Sequence, residues 1–393
     1  MSAIRMFRQP DRNSQLPFMK IAFFIPHFTE GGLERSTLRL AEEIVNCGGE
    51  ALLITLNATG KMVKMWPDAD GLRVLNRRST FTSIPALSRV IRLEKIDALI
   101  SAQDHANIAA VLARTLSGRK IPLILTERSF LHGSRKTRGL FRHIVLSRLM
   151  LCAYPKADAI VANSKDGARV VESYMGWSER RVKTIYNPTI NHSIEKLQAE
   201  ETDDPWFESN EVPVIMGMGR LDENKDFATL IRAFTRVRVV TECRLVIFGD
   251  GPLRGALAGL AVELGVAKHV RLEPFVENPF QFLSRSELFV LSSQTEGLPN
   301  ALIEAQACGV PTVSTDCPTG PREILEDGES GALVPVGDHE AMAEQIVAIL
   351  SDDNLARRYV DSANSGLDRF SPSECYSQYA ALIAQIRAGE YRI

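Results

Sequence analysis

The sequence has little of what a disulfide-bonded, zinc-binding or membrane-spanning protein requires. Its six cysteines are scattered over 393 residues, with no Cys-x-x-Cys spacing, so neither a disulfide framework nor a zinc site is predicted. No apolar run reaches the roughly 18 residues of a membrane-spanning helix. The polar start, MSAIRMFRQPDRNSQLPF, lacks the apolar run of a signal peptide. We therefore expect a reducing, cytoplasmic location.

The charge balance excludes a further class. The formal net charge is −2, whereas a dedicated nucleic-acid binder usually carries a strongly basic face. Hydrophobic residues make up 45% and charged residues 24% of the chain, which is typical of a globular protein. The length indicates two domains of roughly 150–200 residues each.

The first half alternates short apolar runs with amphipathic segments. A buried strand is predicted at 20–26, followed by a helix that Gly48 and Gly49 end. Further strands are predicted near 51–56, 72–75, 97–101, 121–126 and 158–163. Fully apolar strands separated by helices are typical of a parallel sheet covered on both faces.

The second half repeats this alternation, which predicts an α/β protein of two Rossmann-like domains. Its strands are expected near 212–219, 244–251, 270–275, 287–293, 310–315 and 331–336. The predicted organisation is a flexible leader at 1–18, domains at 19–186 and 212–372, an irregular acidic linker at 187–211, and a C-terminal helix at 373–393 that can return to the first domain. Ligands are expected at the carboxyl ends of the strands, in a cleft that both domains face.

The densest functional signal is the segment TEGLPNALIEAQACG, at residues 295–309. Glu296 lies on a predicted loop and Glu304 on the helix that begins near Asn300. The amides of Gly297 and Leu298 and the helix N-terminus offer hydrogen-bond donors. The two carboxylates can accept hydrogen bonds from ribose or sugar hydroxyl groups. An isolated Glu304 would be interpreted as a surface glutamate; the combination favours a binding site.

Two further strand ends carry residues suited to phosphate. Arg220 and Lys225 bracket the start of an amphipathic helix, and two cations at the positive end of a helix suit a diphosphate. After the first strand, Gly31 and Gly32 allow the backbone to approach a ligand closely. The alternatives are solvated cations and a simple tight turn. Phe248-Gly-Asp-Gly251 is interpreted as mainly structural.

These motifs resemble glycosyltransferase family 4, whose members are retaining enzymes of the GT-B fold. The family's Glu-x7-Glu signature is matched by Glu296 and Glu304, and its phosphate-binding Arg and Lys by Arg220 and Lys225. The resemblance implies that Glu296 and the loop amides hold the donor sugar and that Glu304 binds the ribose. It implies an acceptor-binding first domain and a donor-binding second domain. Pro318–Glu323 resembles the loop that reaches toward the donor.

The first domain departs from the family pattern at its expected catalytic position. Many members carry a histidine after the strand matched here by 121–126, whereas this chain has Glu127 and Arg128. We name Glu127 and His105 as catalytic candidates, together with Arg220, Lys225 and Glu296, although a lone histidine is more often a bystander. Asp68 and Asp70 match the metal-binding Asp-x-Asp of another transferase fold; we interpret them as a turn. No metal or other cofactor is predicted.

A basic stretch in the first domain predicts contact with a negatively charged surface. Seven Lys or Arg and no acidic residue occur from Arg128 to Ala157, interleaved with apolar side chains. A basic amphipathic helix is typical of membrane-surface contact, which assigns Arg135, Lys136, Arg138 and Arg142 to a membrane or acceptor surface. A helix with an ordinary solvated face is the alternative. The stretch has no recognised nucleic-acid-binding motif.

The predicted function is a retaining, metal-independent glycosyltransferase of bacterial surface polysaccharide assembly. The resemblance implies a nucleotide-sugar donor, with a UDP-sugar favoured, and a glycan or polyprenyl-lipid-linked saccharide as acceptor. The expected location is cytoplasmic, with peripheral contact to the inner face of the cell membrane. The alternatives are a GT-B-type sugar-nucleotide epimerase, a phosphorylase-like enzyme with pyridoxal phosphate, and a non-catalytic scaffold that binds nucleotide-sugar.

Overall fold

A computed structural model of the chain shows two compact units. It describes residues 18–29, 31–68, 70–128, 140–178, 181–190, 193–208, 212–391 and 393, without the side chains of residues 140–143. The first unit comprises the described residues up to Thr189 together with Phe370–Ile393, and the second comprises Ile190–Arg369. The chain therefore passes from one unit to the other at residues 189–190 and again at 369–370.

The first unit contains a seven-stranded, wholly parallel sheet in the order β3-β2-β1-β4-β5-β6-β7. Ile21 of β1 lies opposite Ala51 of β2 on one side and Ala98 of β4 on the other. The strands are β1 Lys20–Phe24, β2 Glu50–Thr55, β3 Leu72–Val74, β4 Ala98–Ala102, β5 Leu123–Glu127, β6 Ala159–Ala162 and β7 Lys183–Thr184. The two-residue strand β7 was not predicted, because so short a strand leaves no periodicity to detect.

Helices cover both faces of this sheet. The helices are α1 Gly32–Asn46, α2 Ile84–Leu93, α3 Asp104–Ser117, α4 Leu140–Ala153, α5 Lys165–Met175 and α15 Pro372–Ala388. Side chains of α2, α3, α4 and α5 share one apolar core with the strands, and those of α1 and α15 share the other. Helix α15 starts where the Ser371 hydroxyl accepts a hydrogen bond from the Glu374 amide. Its Tyr376, Tyr379 and Ile383 are buried against the first unit.

The second unit contains a six-stranded parallel sheet in the order β10-β9-β8-β11-β12-β13. Met216 of β8 lies opposite Val246 of β9 and Phe289 of β11. The strands are β8 Val214–Met218, β9 Arg244–Phe248, β10 Val270–Glu273, β11 Leu288–Leu291, β12 Thr312–Thr315 and β13 Ala332–Val334. All six lie within the segments predicted from the sequence.

The longer helices of the second unit are α8 Phe227–Val240, α9 Arg254–Glu263, α11 Asn300–Ala307, α13 His339–Ser351 and α14 Asp353–Gly366. Side chains of α8, α9 and α13 share one core with the strands. Shorter helices are α6 Ile194–Gln198, α7 Pro205–Glu208, α10 Phe280–Leu283 and α12 Pro321–Ile324.

The segment expected to be an irregular linker differs from that expectation, because α6 and α7 lie within it and belong to the second unit. Phe207 of α7 is buried against Phe282. The Trp206 ring lies under the guanidinium groups of Arg244 and Arg271, 5.2 Å and 4.9 Å from its centroid. The acidic composition of the segment gave no indication that Trp206 and Phe207 pack against the second unit.

Strand order reverses between β1 and β4 in the first unit and between β8 and β11 in the second. At such a switch point the loops after the two central strands leave in opposite directions and form a crevice at their carboxyl ends. The loops after β8 and β11 carry Arg220, Lys225 and Glu296. Within the described residues, no helix is long and apolar enough to cross a membrane.

Candidate donor site and its relatives

Lys225 and Glu296 meet at the switch point of the second unit. The Lys225 ammonium lies 2.5 Å from a carboxylate oxygen of Glu296, and the two side chains are 20% and 12% exposed. The Ser293 hydroxyl donates a hydrogen bond of 2.6 Å to the same carboxylate oxygen. Two residues 71 positions apart thus form a shielded ion pair where the fold is expected to bind a ligand.

Side chains of the two loops also bind each other directly. The side-chain amide of Asn224 donates a hydrogen bond to the Thr295 backbone carbonyl at 2.9 Å. The Thr295 hydroxyl donates one to the side-chain oxygen of Asn224 at 2.5 Å. The Ser292 hydroxyl donates to the Lys225 carbonyl at 2.8 Å. These bonds hold the backbone on both sides of the ion pair. Sequence reasoning missed them, although Ser292, Ser293 and Thr295 form a recognisable run of hydroxyl groups at a strand end.

Lys225 immediately precedes α8, whose start is fixed by a capping residue. Asp226 accepts hydrogen bonds from the amide and the hydroxyl of Thr229, at 3.3 Å and 2.8 Å. Arg220 begins the same loop, but its side chain is 74% exposed and its nearest carboxylate, that of Asp222, is 3.7 Å away. The described contacts therefore join Lys225, and not Arg220, to Glu296.

A third loop supports the backbone of the Glu296 loop. The Thr319 hydroxyl donates to the Glu296 carbonyl, and Thr319 holds a positive φ of 67°. A Cβ on Gly320, whose φ is 91°, would lie 2.7 Å from the Gly297 carbonyl oxygen. These contacts place the predicted Pro318–Glu323 loop directly against the Glu296 loop.

Helix α11 carries the remaining residues predicted to bind the donor. It begins at Asn300, directly after the Glu296 loop, and Glu304 is buried in its second turn. Leu298 is buried and Gly297 is partly exposed. The structure thus places Glu296, Gly297, Leu298, Asn300 and Glu304 on one continuous loop and helix, as the sequence predicted.

The Phe248–Gly251 turn has a structural role, as expected. A Cβ on Gly249 would lie 1.8 Å from the Gly219 carbonyl oxygen, and one on Gly251 would lie 2.3 Å from that of Leu221. The Gly219 amide donates to the Phe248 carbonyl, and the Leu221 amide to that of Asp250. The turn after β9 is therefore packed directly beneath the Arg220 loop.

The glycine turn of the first unit lies against the side chain of Glu34. A Cβ on Gly31 would lie 2.6 Å from a carboxylate oxygen of Glu34. Glu34 is buried and accepts a hydrogen bond of 3.3 Å from the Thr29 hydroxyl. Gly32 is the first residue of α1, at the switch point of this unit. A phosphate contact by Gly31 and Gly32 stays a prediction.

His105 and Glu127 occupy different environments in the first unit. His105 is partly buried in the first turn of α3, after Gln103 with its positive φ of 83°. Glu127 ends β5 with its carboxylate inside the unit, where it accepts hydrogen bonds from the Asn107 amide at 2.9 Å and from the Tyr154 hydroxyl. Burial and the nearby Asp104 carboxylate raise the pKa of Glu127 to about 8. Catalytic roles for both residues stay predictions.

The Asp68–Asp70 pair forms a turn, as expected. The Asp68 carboxylate accepts a hydrogen bond of 3.1 Å from the Asp70 amide, and its carbonyl accepts one of 2.9 Å from the Gly71 amide. Such an Asx turn accounts for the first aspartate. Arg135, Lys136 and Arg138 lie outside the described residues, as does the side chain of Arg142.

Comparison with known proteins agrees with this geometry. The model of "Glycosyltransferase Family 4" matches residues 30–189, and that of "Glycosyl transferases group 1" matches residues 198–365. A Campylobacter jejuni protein, N-acetylgalactosamine-N,N'-diacetylbacillosaminyl-diphospho-undecaprenol 4-alpha-N-acetylgalactosaminyltransferase, is 31% identical over 297 residues, covering 74% of this chain and 78% of that protein. This chain belongs to glycosyltransferase family 4.

Two further comparisons cover nearly the whole glycosyltransferase. A second C. jejuni enzyme, an α-1,4-N-acetyl-D-galactosaminyltransferase acting on an undecaprenol-linked saccharide, is 26% identical and covers 94% of this chain and 99% of its own length. The solved structure of Anabaena HepE in complex with UDP superposes with a TM-score of 0.77 at 19% identity, over 93% of this chain and all of that chain. The fold is thus the GT-B fold of two Rossmann-like domains. Relatives of this glycosyltransferase act in lipid-linked and lipopolysaccharide glycan assembly.

Proposed function

We propose that this glycosyltransferase transfers a hexose or N-acetylhexosamine from a UDP-sugar to a polyprenyl-linked or glycan acceptor, with retention of anomeric configuration and without a metal. The observation that carries the proposal is the contact of Lys225 with Glu296 at the switch point of the second unit. It joins a cation suited to a diphosphate to a carboxylate suited to sugar hydroxyls, as family membership leads one to expect.

Lys225 is the residue to which we assign the donor diphosphate. Its ammonium is only 20% exposed, and it lies at the amino-terminal end of α8. A partly shielded cation and a helix N-terminus both stabilise negative charge. The mostly exposed Arg220, on the same loop, supplies a second cation. As the bond to the sugar breaks, these groups stabilise the charge that develops on the departing diphosphate.

Glu296 and Glu304 are assigned to the hydroxyl groups of the donor. Glu296 has one carboxylate oxygen bound by Lys225 and Ser293, which fixes the orientation of the group. A carboxylate offers about four acceptor positions, so it has capacity left for sugar hydroxyls. Glu304, buried in α11, is assigned to the ribose on the basis of the family motif.

The proposed reaction is a substitution at the anomeric carbon on the face that the leaving group occupies. The bond between the anomeric carbon and the diphosphate oxygen breaks, and a bond from that carbon to the acceptor oxygen forms. The acceptor's hydroxyl proton passes to an oxygen of the departing diphosphate. The products are a glycoside of unchanged configuration and UDP, and the step needs no oxidant or reductant.

The names of related proteins support the choice of substrates. Both C. jejuni relatives are N-acetylgalactosaminyltransferases named for undecaprenol-linked saccharides. Anabaena HepE has been solved with UDP and with UDP-glucose. We accordingly propose a UDP-hexose or UDP-N-acetylhexosamine as donor, a polyprenyl-linked saccharide as acceptor, and action at the cytoplasmic face of the membrane.

The test is a matrix of donors and acceptors. UDP- and GDP-linked sugars are each incubated with the enzyme, with and without polyprenyl-diphosphate-linked saccharides, while nucleotide release is followed and the product's anomeric configuration is assigned by NMR. We expect acceptor-dependent release of UDP and an α-linked product from an α-linked donor. A β-linked product would refute retention, and acceptor-dependent release of GDP alone would refute the choice of donor.

The same experiment separates the alternatives. A sugar-nucleotide epimerase would convert the donor sugar without any acceptor. A binding scaffold would retain the donor without releasing nucleotide under any condition. Neither outcome is expected for a member of glycosyltransferase family 4 whose relatives are named as transferases.

A further inference from the structure

The outer surface of α3 and α4 in the first unit carries an unusual number of exposed aliphatic side chains. Six side chains on these two helices are between 40% and 55% exposed: Leu112 and Leu116 on α3, and Ile144, Val145, Leu149 and Leu151 on α4. The helices contact each other, and their inner sides pack into the same core. We call the outer surface that these six residues form the α3–α4 face. Both helices are thus apolar on the side away from the core as well.

The charge around this face is predominantly positive. Residues 104–158 contain ten Lys or Arg and three acidic residues, of which Glu127 is buried and Asp158 pairs with Arg114. Arg148 lies on the exposed side of α4, Arg119 and Lys120 follow α3 after Gly118, and Lys156 follows α4. All four are exposed, and none forms an ion pair with any residue that the structure describes. The α3–α4 face is therefore bordered by uncompensated positive charge.

A groove extends this basic border at the amino-terminal edge of the sheet. Its volume is about 570 Å³, and the charged residues in its lining are Arg114, Arg119, Lys120, Arg387 and one carboxylate, Asp158. Arg114 pairs with Asp158 and Arg387 pairs with Asp97, whereas Arg119 and Lys120 form no ion pair with a described residue. We call this feature the basic groove. It lies at the end of β5 opposite to Glu127 and can accept an anionic group.

Both the apolar and the basic features point to one kind of partner. A second copy of this chain docked through the same patch would bring like charges together, because an isologous interface places each patch against itself. An anionic bilayer instead offers hydrocarbon to the leucine and isoleucine side chains and phosphate to the lysine and arginine side chains. Long basic side chains at the rim can reach the headgroups while their stems cover apolar surface.

We propose that the α3–α4 face and the basic groove form the surface by which this glycosyltransferase lies on an anionic lipid bilayer. The inference rests on the proposed function in one respect: docking serves to bring the first unit to the lipid-linked acceptors proposed above. It adds α3 and the groove to the docking surface, whereas the sequence indicated only the basic stretch from Arg128 to Ala157.

The test is co-sedimentation of the full chain with vesicles of phosphatidylcholine alone or mixed with phosphatidylglycerol. We expect the wild-type chain to sediment with the mixed vesicles at low salt and to be released above about 0.5 M salt, where charges are screened within a few ångströms. The apolar contribution is tested by Leu112→Glu with Leu116→Glu, and the charge contribution by Arg119→Glu with Lys120→Glu. Each pair should lower the bound fraction at least about tenfold.

A matched control comes from the second unit. Val239 and Val240 end α8 and are 83% and 68% exposed, so Val239→Glu with Val240→Glu adds the same charge to an exposed aliphatic site elsewhere. This variant should bind vesicles as the wild-type chain does. Thermal unfolding of all variants checks the fold. Transfer to a water-soluble saccharide acceptor should be unchanged in every variant, which separates loss of docking from failure of the proposed chemistry.

Three results would overturn the proposal. The wild-type chain could remain in the supernatant with the mixed vesicles at low salt. Both variant pairs could retain wild-type binding. Sedimentation velocity without lipid could instead show a dimer that Leu112→Glu with Leu116→Glu dissociates, which would identify the α3–α4 face as a contact between copies of this chain.

Discussion

At the scale of single residues, the candidate donor site is held together by short polar side chains. Lys225 and Glu296 contact each other, and Ser293 and Thr319 fix the carboxylate and the carbonyl of Glu296. The hydroxyl and amide groups of Thr295 and Asn224 join the two loops. A site assembled from such bonds is preorganised, so removing one group alters the position of others.

Removal of the charged groups should abolish most of the transfer. We expect Lys225→Ala and Glu304→Ala each to lower the transfer rate at least about a hundredfold, or roughly 3 kcal/mol, since each removes a charged contact in a shielded site. Lys268→Ala, at an exposed lysine of the same unit, should keep wild-type turnover. Near-native rates in both site variants, with unchanged circular dichroism, would show that the donor binds elsewhere.

The hydroxyl of Thr295 should support donor binding by holding the two loops together. Thr295→Val has nearly the same shape but cannot donate to Asn224, so we expect KM for the donor to rise about tenfold, near the cost of one hydrogen bond. Thr295→Ser keeps the hydroxyl and should restore most of the affinity. In a Lys225→Ala background the Thr295→Val change should have little further effect. Equal effects in both backgrounds would mean that Thr295 acts independently of Lys225.

Glu127 should make folding stability depend on pH. Its pKa in the folded chain is raised from 4.5 to about 8. Between these two pH values the folded chain therefore keeps a proton that the unfolded chain releases. Stability therefore falls as pH rises through this range. Glu127→Gln stays neutral and can still accept hydrogen bonds from Asn107 and Tyr154. We expect the urea midpoint of unfolding to fall less steeply with pH in Glu127→Gln than in the wild-type chain. Glu263→Gln, at an exposed site, should show the wild-type pH dependence.

A result with the same pH slope in Glu127→Gln and the wild-type chain would place the titrating group elsewhere. Transfer activity in the same variant addresses the catalytic prediction separately. A large loss of kcat with normal stability near neutral pH would support a catalytic role, whereas retained kcat would assign Glu127 to the buried network with Asn107 and Tyr154.

At the scale of elements, the turn after β9 determines how the Arg220 loop lies. Gly249 has a φ of 149°, and its Cα approaches the Gly219 carbonyl so closely that a side chain does not fit. Two amide-to-carbonyl bonds then tie residues 219 and 221 to this turn. The Arg220 loop, to which we assign the donor diphosphate in our proposal, therefore packs on a turn that has no predicted ligand contacts.

Replacement of this glycine should destabilise the second unit. We expect Gly249→Ala to cost at least about 2 kcal/mol, because the added Cβ would meet a backbone oxygen and because the backbone conformation disfavours side chains. Gly259 lies inside α9 with open space around it, so Gly259→Ala should stabilise the chain by about 0.5–1 kcal/mol. Chemical denaturation of both variants measures the contrast. Equal stability of the two would contradict the packing argument.

At the scale of the whole molecule, two parallel sheets with one switch point each supply the places where substrates are expected. The chain crosses between the units twice, and α15 completes a core of the first unit after the second is finished. Truncation before Pro372 would therefore expose apolar surface in the first unit, although the missing residues follow the second unit in sequence.

The activity of the whole enzyme should not depend on a divalent metal. The cations of Lys225 and Arg220 and the amino-terminal end of α8 are the groups to which we assign the diphosphate charge. We expect transfer to proceed at an unchanged rate in EDTA. If transfer is lost in EDTA and recovers when manganese or magnesium is added, this assignment is contradicted. Asp68 and Asp70 would then become candidate metal ligands.

The sequence by itself determined the two parallel sheets, because each buried strand is a short apolar run between amphipathic helices. It also indicated Lys225 and Glu296, since their motifs depend on local spacing along the chain. Only the tertiary structure showed that these residues, 71 positions apart, form an ion pair. It alone showed that Asn224 and Thr295 join the loops, that Glu127 lies inside a hydrogen-bonded network, and that α6 and α7 pack on the second unit. The physical reason is that strand pairing and side-chain burial bring together residues whose separation in sequence carries no periodic signal.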